Sequence, residues 1–421
     1  MSRKKSKGRL TRQQRVLLHK KKMRKRILLL VLEILILIIL GTAAYGMSKL
    51  DKLDFQKLNK KNLEIYQDTG NYTNIALFGL DSRGEDWDAE EGVRSDTIMI
   101  VSINNKTKAV KVVSVFRDTL TQQGDGSYEK ANAAYSYGGP EKAIALLNRN
   151  FDLDIQKYVS INFNALADVI DLLGGIEVDL KTPKEVEYVN GYGTETSEVV
   201  GRSTTQLTQT GKQTLDGIQA VSYARIRYQV FDGDPNDGTD YRRAERQRLV
   251  LQQVVEKAKK ASLPTLNRII DRVLPQVSTN LSTSDFMGMA ANGTKYELGE
   301  MKGFPFDVTT SENVSGLQGS YVVAIGFADN AKQLHKFLFD KDDYQPSAKV
   351  QEINEDIVYL TGIDGDDYEA PPADDQGSTD SGGDYSDDSG YTDDTGYTDE
   401  SSYTDDSGYF DDGTGYGDYG Y

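Results

Sequence analysis

RSDTIMIVSINNKTKAVKVVSVFRDT, residues 94–119, holds two short β-rich runs, TIMIVSI and AVKVVSV, on either side of NNKTK. Asn and Lys between two apolar β-branched runs are a turn signal, so the spacing predicts a hairpin and a sheet that is mixed rather than wholly parallel. Upstream, NIALFGL reads as another strand; downstream, KYVSINF and IEVDL flank the helix-like NALADVIDLLGG. Apolar residues recur at helical spacing in residues 140–150, 241–261 and 266–274. Continuous apolar strands alternating with helices predict an α/β domain whose sheet is covered on both faces.

The rest of the 421-residue chain differs in chemistry. Residues 1–26 carry thirteen Lys or Arg and no acid, whereas residues 364–421 carry nineteen acids and no Lys or Arg, so the net charge of -16 averages two opposite ends. Residues 27–47, ILLLVLEILILIILGTAAYGM, are apolar except for Glu33. At about 1.5 Å per residue this run is long enough to cross a hydrocarbon core of roughly 30 Å. The other reading is a cleaved signal peptide ending near GTAAYG. Basic residues lie immediately before the span, so the arm is expected on the cytoplasmic side and the body outside, as a single-pass protein of the cell membrane. Topology and anionic lipid explain the arm without nucleic acid. The expected organisation is a basic arm (1–26), a transmembrane helix (27–47), a juxtamembrane linker (48–73), a domain (74–345), a linker (346–363) and a disordered acidic tail (364–421) with Tyr every six residues from Tyr385 to Tyr409.

Two absences narrow the chemistry. There is no cysteine, which excludes disulfides, thiolate nucleophiles and zinc-thiolate sites. Of two histidines, His19 sits in the basic arm, leaving His335 alone for the body, which disfavours a Ser-His-Asp triad or a multi-histidine metal site.

Charged pairs stand at the strand ends: Asp81 and Arg83 in FGLDSRG, Arg94 and Asp96 in GVRSDT, and Arg117 and Asp118 in SVFRDT. A fourth group lies in YARIRYQVFDGDPNDGTDYRRAERQR, residues 223–248. There Arg225 and Arg227 are two apart, as on one face of an extended strand, while Arg243 and Gln247 are four apart, as on one face of a helix. Each pair alone is an ordinary rim salt bridge. Together, arginines with a few carboxylates suit phosphate recognition, since guanidinium forks bind phosphate oxygens bidentately and carboxylates hold Mg²⁺. Such sites drive phosphoryl transfer by positioning and charge neutralisation.

Seven motifs, GLDSRG, RSDTIMIVSIN, VVSVFRDT, KANAAYSYGG, YVSINFNALADVIDLLGGIEVDL, LDGIQAVSYARIR and DYRRAERQR, resemble in order the LytR-CpsA-Psr family of cell-wall assembly proteins. The resemblance implies an α-β-α sandwich with a hydrophobic lipid pocket and a charged mouth. It implies transfer of a phosphate-linked glycopolymer, such as wall teichoic acid or capsule, from a polyprenyl-pyrophosphate carrier to peptidoglycan, in a Gram-positive bacterium. By the matching motifs, Asp81 and Asp96 would hold Mg²⁺, and Arg83, Arg117, Arg225, Arg227, Arg243 and Gln247 would contact the head group. Arg117, Arg225, Arg227 and Asp240 would serve catalysis, while Arg242, Arg246 and Arg248 are expected as surface or second-rank charges. Which carboxylate acts as base is left open. Phe116 stands where the family usually has proline, and the stretches 83–94 and 228–239 are expanded. Hydrolysis of the polyprenyl pyrophosphate, or lipid binding without turnover in a regulatory protein, would use the same residues.

Overall fold

A computed structural model describes residues 54–66, 69–80 and 92–365. In chain order these form β1 (Asp54–Phe55), β2 (Tyr72–Leu80), β3 (Ser95–Asn104), β4 (Ala109–Val115), β5 (Leu120–Gln122), β6 (Tyr128–Lys130), α1 (Ala133–Phe151), β7 (Lys157–Asn162), α2 (Phe163–Leu172), β8 (Ile176–Leu180) and α3 (Pro183–Val200). There follow β9 (Gly211–Leu215), α4 (Gly217–Arg225), α5 (Asp240–Lys260), α6 (Leu263–Val273), β10 (Val277–Thr279), α7 (Thr283–Asn292), β11 (Glu297–Phe304), β12 (Val308–Ser311), β13 (Tyr321–Ala324), α8 (Phe327–Phe339) and α9 (Ala348–Thr361).

The expected hairpin is the centre of the fold. In the NNKTK turn, the Asn104 carboxamide oxygen accepts from the backbone of Lys106 and Thr107 at 3.0 Å each, and Lys108 takes a left-handed φ of 66°. That geometry sets Ile98 opposite Val115 and Ile103 opposite Val110. The seven-stranded sheet runs β1-β10-β7-β2-β3-β4-β11 and is mixed: β2, β3 and β4 are antiparallel neighbours, while β7 joins β2 and β11 joins β4 in parallel.

Both faces are covered. Ala76, Phe78 and Leu80 of β2, Ile98 and Ile100 of β3, and Val113 and Val115 of β4 pack against α1, α8 and α9 in one large core. On the other face Val159 and Ile161 of β7 meet Ala165 of α2 and Ile269 and Val273 of α6. IEVDL is a strand, as expected, but β8 pairs with β9 in a separate two-stranded sheet and builds a second core with α3, α4 and α5. The tight return from α2 needs glycine: Gly175 has φ 80°, and a Cβ there would meet the Leu215 carbonyl oxygen at 2.7 Å.

Two expected linkers are corrected. Within 48–73, β1 pairs with β10 and Leu63 is fully buried. Within 346–363, α9 is capped by Ser347 and inserts Val350, Ile353 and Ile357 into the main core. Three apolar residues at helical spacing, rather than the surrounding polarity, decide that segment. The helix expected from residue 140 starts seven residues earlier, at Ala133, and is kinked at Gly138 and Gly139 ahead of Pro140. The basic arm, the expected span and the tail from residue 366 lie outside the described residues. Among the described residues no helix is long and apolar enough to cross a membrane.

Candidate functional site

The end of β2, the start of β3 and the end of β4 lie at one rim of the sheet, which is where Asp96, Arg117 and Asp118 meet. A β-bulge aims the first of them. Gly79 pairs with Thr97 but Leu80 pairs with Ser95, so Asp96 is the extra residue that the ladder skips. Freed from alternation, its carboxylate takes Arg117 Nη1 at 2.9 Å on Oδ1 and Arg227 Nη2 at 3.0 Å on Oδ2.

Arg117 leaves β4 two residues past its end and is the hub. Its Nε lies 3.3 Å from Asp118 Oδ2 and 3.8 Å from Asp240 Oδ1. Asp240 opens α5, where Thr239 caps the helix, and pairs in the same first turn with Arg243. Lys130 of β6 reaches Asp118 Oδ1 at 3.4 Å. The chain neighbours of the two key groups hold this arrangement from behind. Phe116, next to Arg117, packs its ring 4.7 Å from that of Tyr241, next to Asp240. With Ala244 and Val322 they form a small apolar cluster, and a Cβ at Gly303 would strike Phe116 at 2.5 Å. The departure from proline at residue 116 thus places a ring that ties β4 to α5.

The electrostatics separate the carboxylates. Burial pushes the Asp96 pKa up, but Arg117, Arg243 and Arg227 outweigh it and hold the group well below the usual carboxylate range. For Asp240 burial dominates; Asp118 and Asp96 add to it against Arg243 and Arg117, and the pKa is raised. Burial alone would lower the Arg117 pKa, yet Asp96, Asp118 and Asp240 hold it above its ordinary value. Among the described residues, the Nε of Arg243 is buried without a hydrogen-bond acceptor, while that of Arg117 has the ion-pair contact with Asp118. Guanidinium donors gathered beside a rim are what an incoming anion would use.

The site therefore gathers Asp96, Arg117, Arg227, Asp240 and Arg243, and adds Asp118 and Lys130, which the sequence reading had not placed in it. Asp118 was visible beside Arg117; Lys130 gave no signal, because its proximity depends on the β5–β6 pairing. Gln247 lies one turn after Arg243 on α5 and is half-buried. Asp81 and Arg83 fall in residues 81–91, outside the described residues.

Arg225 corrects the expectation of an extended strand. It is the last residue of α4, a helix started by a capping box of Asp216 and Gln219, so Arg225 and Arg227 diverge. Arg225 contacts Thr196 at 3.1 Å and Glu195 at 3.2 Å and lies over the rings of Phe163 and Tyr192. Arg242 and Arg246 are not surface charges either. Arg242 pairs with Asp232 and Glu245, while Arg246, 1% exposed, donates to the Ile226 carbonyl and lies 3.8 Å from buried Glu185.

Among the described residues no group of three or more His, Cys, Asp or Glu is placed to hold a metal ion. Asp96 supplies the hard oxygen donors that Mg²⁺ takes, but both of its oxygens face guanidinium groups.

A model described as the LytR_cpsA_psr family matches residues 39–336. The chain is 30% identical over 285 residues to the polyisoprenyl-teichoic acid–peptidoglycan teichoic acid transferase TagU of Bacillus cereus, covering 64% of this chain and 84% of that one. It is 34% identical over 218 residues to the TagU of Enterococcus faecalis, covering 51% and 64%. A solved protein from Streptococcus agalactiae superposes with a TM-score of 0.52 at 25% identity, over 66% of this chain and 92% of that one. With a family match across most of its length, and Asp96, Arg117, Asp240 and Arg243 gathered at one rim, the chain belongs to the LytR_cpsA_psr family.

Proposed function

We propose that this protein is a phosphotransferase that moves a phosphate-linked glycopolymer from a polyprenyl-pyrophosphate carrier to peptidoglycan. The observation that carries the reading is the convergence of Arg117, Arg227 and Arg243 on two carboxylates whose pKa values are driven in opposite directions. The names of the TagU relatives supply the substrate class.

In this reading the arginines hold the pyrophosphate oxygens, and Asp96, kept ionised, orients Arg117 and Arg227. Asp240 has the raised pKa that suits a general base, and takes the proton from an acceptor sugar hydroxyl. The hydroxyl oxygen bonds to the phosphorus that bears the polymer. The bond from that phosphorus to the bridging oxygen breaks, and polyprenyl phosphate leaves. Arg117 and Arg243 offer guanidinium donors to the charge that develops on the phosphoryl oxygens. Arg225, Arg83 and Gln247 belong to the wider head-group cradle. Mg²⁺ would be shared by Asp96 and Asp81, one guanidinium yielding its place on Asp96, and would neutralise pyrophosphate charge. The apolar run at residues 27–47 would hold the body outside the membrane, in two-dimensional reach of a lipid-linked donor.

The test uses the full chain in detergent with a polyprenyl-pyrophosphate-linked oligosaccharide and a peptidoglycan fragment, with Mg²⁺ or with a chelator, read by mass spectrometry. A Mg²⁺-dependent phosphodiester adduct on the fragment is the expected product. Released sugar phosphate without adduct would identify a hydrolase, and binding without either product a carrier or regulator.

A further inference from the structure

Beside the charged rim lies a run of aromatic rings that the phosphotransfer chemistry does not use. We infer that Tyr188, Tyr228 and Phe231, with Tyr192 at the inner end, form a platform for the pyranose rings of the acceptor glycan strand. The inference rests on the transferase reading for the word acceptor, but the stacking surface stands on its own observations.

On α3, Lys184, Tyr188, Tyr192 and Thr196 recur every four residues and so share one face, which ends at Arg225. Tyr228, the residue after Arg227, stacks on Tyr188 with ring centroids 5.4 Å apart and planes at 28°. Arg227 itself is bound to Asp96, so the stacked pair adjoins the cluster directly. Tyr192 feels the charges of Arg227 and Arg225 and the phenol of Tyr228, and its pKa is raised, chiefly by burial, which keeps its hydroxyl a donor.

Phe231 follows three residues after Tyr228 in the same loop and is held at a cost. It is 72% exposed and has a left-handed φ of 58°. A bulky residue in that region is strained. The loop is pinned nonetheless: the Asp237 carboxylate accepts from Val230 N at 2.9 Å and Phe231 N at 2.6 Å, and Thr182, the cap of α3, donates to the Val230 carbonyl at 2.7 Å. Asp232 is locked by Arg242. An exposed ring on a pinned, strained backbone is a display of that ring rather than slack in a loop.

The setting selects the ligand. Tyr228 and Phe231 are exposed and the half-buried Tyr188 and Tyr192 carry hydroxyls, whereas a polyprenyl chain needs an enclosed apolar channel. Glu187 stands exposed and Glu195 half-buried on the same helix, while Asp232 and Asp234 are spent on Arg242, so the acids at the surface disfavour a polyanionic polymer or an anionic lipid surface. A pyranose presents C–H groups on its faces and hydroxyls at its edge, and fits rings with an acid and amine border. Lys184, whose ammonium lies 4.9 Å over the Tyr188 ring, fixes that ring from the solvent end.

The test titrates the full chain in detergent with two separate probes, a β-1,4-linked N-acetylglucosamine hexasaccharide and geranyl pyrophosphate, by calorimetry. Tyr228→Ala and Phe231→Ala are expected to weaken hexasaccharide binding about three- to tenfold each, the scale of one aromatic contact, and to leave geranyl pyrophosphate binding unchanged. Tyr359→Ala, which removes a ring 86% exposed on α9, serves as the control and is expected to change neither. Equal hexasaccharide binding by all variants would overturn the inference, as would weakened geranyl pyrophosphate binding with hexasaccharide binding kept. Wild-type protein that binds the hexasaccharide but no pyrophosphate would support the platform and refute the proposed function.

Discussion

Two buried polar regions of this molecule are built in opposite ways. Around Asp152, at the end of α1, the carboxylate is met by neutral donors: Tyr344 Oη donates at 2.6 Å, Ser347 N at 2.8 Å and Ser347 Oγ at 2.8 Å. His335 stacks on Tyr344 with centroids 3.6 Å apart, and its Nε2 bonds the Phe151 carbonyl at 2.9 Å. Around Arg117 the partners are instead full charges, three guanidinium groups among three carboxylates, and the pKa values of Asp96 and Asp240 are forced apart. Neutral networks around one carboxylate specify a fold, while clustered charges at a rim are suited to a charged ligand.

The contrast predicts that substitutions divide between activity and stability. The largest effect is expected for Arg117→Ala, which removes a partner of transition-state charge and should slow transfer about a hundredfold or more. Its melting temperature should fall less than that of Asp152→Ala. In Asp152→Ala three donors, two of them from Ser347, lose their acceptor, and the loss is expected at roughly 3 kcal/mol or more in urea unfolding. A stable Asp152→Ala protein beside an unstable Arg117→Ala protein would break the comparison.

His335 sharpens it through pH. Burial lowers its pKa to about 4, against an ordinary value of 6.5. The unfolded chain therefore takes a proton first as pH falls, so this histidine's contribution is complete above pH 6.5 and is lost progressively down to about pH 4. The loss amounts to roughly 3 kcal/mol. His335→Gln, which keeps a donor for Phe151, should flatten that part of the stability profile between pH 6.5 and 4. Asp96 works in the other window: its pKa is depressed, so its contribution holds above the ordinary aspartate range and fails only in stronger acid.

The smallest effect belongs to the seam behind the site. Phe116→Leu removes the ring contact with Tyr241 and should cost about 1 kcal/mol. Because that contact positions Arg117 against Asp240, we expect transfer to slow about three- to tenfold at unchanged donor KM.

Much of this was legible in the sequence because it depended on local chemistry. The NNKTK turn dictated the hairpin, and the hairpin brought Asp96 and Arg117 to one rim. What escaped depended on distant partners. The bulge that turns Asp96 arises from the pairing of Leu80 with Ser95. A period of two in Arg225 and Arg227 imitated a strand, although the Asp216 and Gln219 capping box upstream marked a helix. Arg246 looked solvated because Glu185 and Ile226, its partners, come from elsewhere in the chain. Likewise α9 was hidden by its polar surroundings until the core it fills was known.

The central claim is that Asp240 accepts the proton while Asp96 stays ionised among the arginines. The most direct measurement is single-turnover transfer as a function of pH in the wild type and in Asp240→Asn. The account predicts that the wild-type rate rises with pH through an ionisation above the ordinary aspartate range. Asp240→Asn should be slower by about a hundredfold and lack that rise. A variant with near wild-type rates and the same pH dependence would contradict it.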